Sequence, residues 1–109
     1  MLKGEAPISF VKGEAYKYEI RFDEQNYNNI TSVHISCKEL NFCHELQKDA
    51  QDTRKWSYLF TSSETKTFKP ISTTYSLTAH NAIPELDPQI LANEHFVVKR
   101  NENPYCLGE

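Results

Sequence analysis

Polar and apolar residues alternate with period two along several stretches of this chain. Over residues 15–22, Tyr16, Tyr18, Ile20 and Phe22 fall on one side, and Lys17, Glu19 and Arg21 on the other. Side chains alternate across a strand in this way, so the stretch predicts a β-strand with one wet face. Residues 31–38 repeat the pattern, with Val33, Ile35 and Cys37 facing in and His34, Ser36 and Lys38 facing out. Trp56, Tyr58 and Phe60 share one face of a later strand, and Thr73, Tyr75, Leu77 and Ala79 share one face of the next. Residues 62–72 lie between them, rich in hydroxyls and holding Pro70, and predict a corner.

The remaining segments complete the set. Residues 7–11 predict an edge or first strand, and Pro7 at its start suits an edge. Gly13 then turns the chain. Residues 94–99 predict the last strand. Two prolines, Pro84 and Pro88, exclude a central strand over residues 82–93, and Asp87-Pro88 predicts one helical turn with the proline at its first position. Residues 39–51 fit two patterns. Phe42, His44 and Leu46 make a strand face, while Leu40, Cys43, Leu46 or Gln47, and Ala50 make a helical stripe; a short strand over residues 41–46 followed by a polar loop is favoured over a helix. About seven short strands separated by turns predict an all-β protein built as a single antiparallel β-sandwich. Its 109 residues suit one domain, read here as residues 1–100 with a C-terminal tail at 101–109.

Composition narrows the function classes. A formal net charge of −3 provides no basic field for nucleic acid, and no run of Lys or Arg is visible. No apolar run approaches the roughly 18 residues that a membrane helix needs, and the N-terminus does not read as a signal peptide. The expectation is a protein made in a cytoplasm, with no nucleic-acid or membrane partner. Three cysteines do not make a disulfide scaffold.

Candidate chemistry is sparse. His34, Cys37, Cys43 and His44 are zinc-type ligands, but strand alternation sends His34 and Cys37 to opposite faces, and likewise Cys43 and His44. A Cys37–Cys43 disulfide requires the two to oppose each other across a hairpin. Glycine occurs only at Gly4, Gly13 and Gly108, which excludes a nucleophile elbow and a phosphate-cradling loop. His80 with Asp87, and His44 with Glu64, are the pairings that acid–base chemistry would use, although nothing in their spacing brings either pair together. No enzyme, catalytic residue, metal or cofactor is expected. Tyr27 in a polar loop and Tyr105 in the tail are candidate partner-binding anchors, as exposed tyrosines often are. Trp56 or Tyr27, if exposed, would give a carbohydrate or small-molecule module its stacking platform.

Three stretches together carry a family resemblance. The glycine–acidic start and alternating strand of Val11-Lys12-Gly13-Glu14-Ala15-Tyr16-Lys17-Tyr18-Glu19-Ile20-Arg21-Phe22, the strand Ile30-Thr31-Ser32-Val33-His34-Ile35-Ser36-Cys37-Lys38, and the corner and strand of residues 59–78 resemble small immunoglobulin-like domains of bacteriophage tail and baseplate proteins. The antibody-type Cys…Trp…Cys arrangement is absent. The resemblance implies an immunoglobulin-like sandwich in which Tyr75 is a tyrosine-corner residue bonded to upstream backbone. It also implies a structural, assembly or protein-interaction domain that associates with itself or with another protein, in the setting of a phage or prophage particle, and hence assembly into a virion.

Overall fold

The computed structural model describes residues 2–4, 7–22 and 29–100, and among them the chain forms nine strands in two sheets. These are β1 (Leu2–Gly4), β2 (Ile8–Val11), β3 (Tyr16–Phe22), β4 (Ile30–Cys37), β5 (Phe42–Glu45), β6 (Gln47–Lys48), β7 (Lys55–Phe60), β8 (Ile71–Asn81) and β9 (Gln89–Lys99). One sheet has the order β1-β3-β7-β6 and the other the order β2-β9-β8-β4-β5. Taking the strands in chain order as A, A′, B, C, C′, D, E, F and G, the sheets read ABED and A′GFCC′, the division of an immunoglobulin-like sandwich that carries the extra C′ strand of the variable type. The fold is thus all-β and immunoglobulin-like. The strands exceed the expected seven because β1 and β6 are too short for periodicity to show. The sandwich also departs from a purely antiparallel one. β2 runs parallel to β9, with Ile8 opposite Phe96 and Val11 opposite Lys99.

The alternating faces are where the sequence places them. Tyr18, Ile20 and Phe22 of β3, Val33, Ile35 and Cys37 of β4, Trp56 and Phe60 of β7, and Tyr75, Leu77 and Ala79 of β8 are all buried. Residues 42–45 form a strand rather than a helix, paired back on β4 through a hairpin in which Asn41 adopts a left-handed conformation (φ 56°). Leu46 then carries the chain from one sheet to the other. It is buried, and its N–H bonds the Val33 carbonyl at 2.8 Å. The last strand starts at Gln89, five residues before the expected start, and the helical turn expected at Pro88 instead occupies Pro84–Leu86, with Pro84 in its first turn.

The corner after β7 is more ordered than its composition suggested. Ser62–Thr65 form one helical turn, α1, capped by the Thr61 hydroxyl, which accepts the Glu64 N–H at 3.2 Å. Thr65 is fully buried. Its hydroxyl accepts the N–H of Gly13 at 3.1 Å and lies 3.0 Å from the Glu14 carbonyl, to which it donates. Gly13 has a φ of 90°, which a side chain would strain, so glycine is required where the β2–β3 turn meets the corner. No disulfide pins the sheets among the described residues. An aromatic cluster of Phe10, Phe42, Phe60, Phe68 and Phe96 fills that end of the core, with ring centroids 5.5–6.3 Å apart.

Candidate interaction face and polar clusters

The two sheets turn different surfaces to the outside. In the four-stranded sheet, β3 presents Lys17, Glu19 and Arg21 beside Lys55, Ser57 and Leu59 of β7. The charges are paired: Glu19 lies 3.3 Å from Lys55 and 3.6 Å from Lys17, and Arg21 donates to Asp52 at 2.9 Å. Asp52 is held below the usual carboxylate range by the Arg21 hydrogen bond and then by the Arg54 N–H. Asp49 is held low by the N–H groups of Asp52 and Gln51.

The five-stranded sheet carries almost no charge outward. β8 turns out Ser72, Thr74, Ser76, Thr78 and His80, and β4 turns out Ser32, His34 and Ser36. β9 adds Ile90, Asn93, His95 and Val97 in register with them. Among the described residues, Glu45 of β5 at one edge, Lys99 at one end and Asp87 beside His80 bring formal charge to this face. The Ser76 hydroxyl donates to the Asn93 side chain at 2.7 Å, and Ile90 is 68% exposed. Cys43 is exposed on this face beside Ser36.

Two titratable pairs that the sequence offered without a reason for proximity do form. His80 Nδ1 lies 3.0 Å from Asp87, which also accepts the Asn81 N–H at 3.0 Å. That backbone bond, more than the histidine, holds Asp87 below the usual range. His44 Nε2 lies 2.6 Å from one Glu64 oxygen while the Tyr58 hydroxyl donates to the other at 2.7 Å. The His44 ring stacks on Tyr58 with centroids 4.3 Å apart. This half-buried cluster joins β5 of one sheet to β7 of the other through α1. Burial first, then the Glu64 hydrogen bond and charge, push the Tyr58 hydroxyl above its ordinary pKa. Glu64 lies in a segment read from the sequence only as a polar corner, and which side chains it reaches depends on how the sheets pack.

Tyr75 is on β8 and fully buried. Its hydroxyl, expected to secure the corner, stands 3.1 Å from the Tyr18 hydroxyl of the opposite sheet. Burial raises both hydroxyls; their mutual hydrogen bond adds to the rise at Tyr18 and opposes it at Tyr75. Trp56 is only 4% exposed and lies under Lys48, so it cannot serve as a stacking platform. Tyr27 and Tyr105 lie outside the described residues. His34, Cys37, Cys43 and His44 do not converge, and among the described residues no three His, Cys, Asp or Glu gather as a metal site. Cys37 pairs with Phe42, and Cys43 with Ser36. The two cysteines thus lie one register step apart on opposite faces, and both are free.

No protein-family model matches the chain. No curated protein matches it either. Among solved structures the chain is similar to that of murine CRIg, an immunoglobulin-like domain, with a TM-score of 0.50 and 10% identity over 94% of this chain and 98% of that one. At that identity the likeness is one of fold. It supports the immunoglobulin-like part of the sequence resemblance and not the phage tail or baseplate part.

Proposed function

We propose that this protein is a non-enzymatic interaction domain that docks a protein partner, or a second copy of itself, on the outer face of the A′GFCC′ sheet. The observation that carries this reading is the scarcity of charge on that face in a chain that is 25% charged overall. Charged side chains are depleted where a protein interface is fully buried, because each one must be desolvated on docking. Hydroxyls, an amide and imidazoles lose less on burial and can exchange hydrogen bonds with a partner's surface. The immunoglobulin-like fold supports the same reading, since domains of this kind commonly act through protein contacts. The paired charges of the opposite face are those of a surface that stays in water.

On the sequence resemblance alone, the partner is a neighbouring subunit of a phage or prophage particle, and the protein is made in a cytoplasm before assembly. The test is light scattering coupled to size exclusion over a concentration series, with pull-downs if the chain is monomeric. Thr78→Glu, at the centre of the face, should weaken association by 30-fold or more, about the 2 kcal/mol expected for an unpaired buried charge. Ser57→Glu on the opposite sheet should leave association intact. Equal loss from both variants, or no effect of Thr78→Glu, would refute the docking face.

A further inference from the structure

His34 and His80 stand on adjacent strands of the A′GFCC′ face with ring centroids 5.4 Å apart and ring planes at 85°. They are diagonal neighbours in the β4–β8 ladder, where His34 pairs with Thr78 and Ser32 with His80. We propose that the two imidazoles form a binding site for a divalent transition-metal ion such as Zn²⁺ or Ni²⁺, with Asp87 orienting His80 from behind.

The separation fits without moving a strand. An imidazole nitrogen sits about 1.2 Å from its ring centroid and bonds zinc at about 2.0–2.1 Å, so two rings on a tetrahedral ion have centroids roughly 5.3 Å apart. Each ring also has a nitrogen to give. The Asp87 carboxylate engages Nδ1 of His80 and fixes the tautomer that leaves an Nε2 lone pair to give. A carboxylate holding the far nitrogen of a ligating histidine is the arrangement that metal sites use to aim the ring and raise its basicity. The Nδ1 of His34 is enclosed and has no hydrogen-bond partner. An ion there displaces no existing bond and relieves a buried polar atom that is otherwise unsatisfied. Imidazole suits zinc, nickel and copper rather than calcium or magnesium.

Among the described residues no third His, Cys, Asp or Glu completes the set. The site therefore has two protein ligands; its remaining positions open on the side of His80, which is 45% exposed, and an ion reaches the enclosed His34 nitrogen by a turn of that ring. It differs from the His34, Cys37, Cys43 and His44 set considered from spacing, and shares only His34 with it. It rests on the geometry of the sheet and stands whether or not the face docks a partner.

Calorimetric titration of the tag-free, full-length protein with Zn²⁺, repeated with Ni²⁺, tests the site. The expected result is saturable binding of one ion per chain. His34→Gln and His80→Gln should each reduce affinity at least tenfold, Asp87→Asn should reduce it about tenfold, and His95→Gln, elsewhere on the same face, should leave it unchanged. Thermal unfolding without metal checks that each variant is folded. Since Asp87 also holds the Asn81 N–H, the two histidine variants decide the matter if Asp87→Asn does not fold. Absence of saturable binding, binding that survives His34→Gln or His80→Gln, or equal loss in His95→Gln would overturn the proposal.

Discussion

The outer faces of the two sheets are built on the same alternating backbone and end in opposite chemistry. On the ABED sheet the positions between buried residues are filled by Lys17, Glu19, Arg21 and Lys55, each within reach of an opposite charge. On the A′GFCC′ sheet they are filled by serines, threonines, Asn93 and three histidines, with Ile90 left bare. Folding alone does not demand this difference, because either filling keeps a strand's outer side soluble. What separates the two is the cost of removing the face from water. Desolvating the ABED side would break up a network of ions, whereas the hydroxyl-rich side can be covered at much lower cost.

Both faces rest on one core, which carries most of the stability. The largest effect is expected from inside. Phe96 is fully buried and touches Phe10, Phe42, Phe60, Phe68 and Tyr75. Phe96→Ala should cost about 3–5 kcal/mol in chemical denaturation, far more than any change on either face. A smaller effect belongs to the bond that joins the sheets. Tyr75→Phe strands the Tyr18 hydroxyl in the core and should cost about 1–3 kcal/mol.

That pair also sets an alkaline limit. The folded hydroxyls of Tyr18, Tyr75 and Tyr58 titrate above the ordinary tyrosine value of about 10, so at high pH the unfolded chain gives up protons that the folded one retains. The stability these hydroxyls contribute is full below pH 10 and is lost as the pH rises above it, and the loss should be shallower in Tyr75→Phe. Denaturation midpoints from pH 8 to 11 check the sign. The smallest effect is expected on the charged face. Glu19→Gln removes the partner of both Lys17 and Lys55, yet should change stability by no more than about 0.5 kcal/mol, and less in high salt.

Much of this architecture was legible from alternation, because a buried sheet face forces a period of two on the sequence. The inward sides of β3, β4, β7 and β8 could be read residue by residue. What alternation could not show is which strands become neighbours. The pairing of β2 with β9, the division into two sheets and the contact of His34 with His80 all join residues far apart in the chain. The bond between His44 and Glu64 depends on β5 crossing to face β7, a matter of sheet packing that no local pattern encodes. Trp56 was misjudged as a possible platform for a related reason. Its period placed it on the inner face, but only the packed sandwich shows how completely that face is closed. The charge-poor strip Ser72, Thr74, Ser76 and Thr78 was visible as one side of a strand, but it gained meaning only when β4 and β9 were found to extend it with more uncharged residues.

Cys43 lies on the charge-poor face and offers the most direct measurement of the central claim. In a Cys106→Ser background, a thiol-directed cross-linker placed on Cys43 should join the protein to its partner or to a second copy in the native mixture. The same reagent on Ser57→Cys, with Cys43→Ser, should give no adduct from the charged face. Capture from Ser57→Cys as efficient as that from Cys43, or from it alone, would contradict the assignment of the A′GFCC′ face as the docking surface.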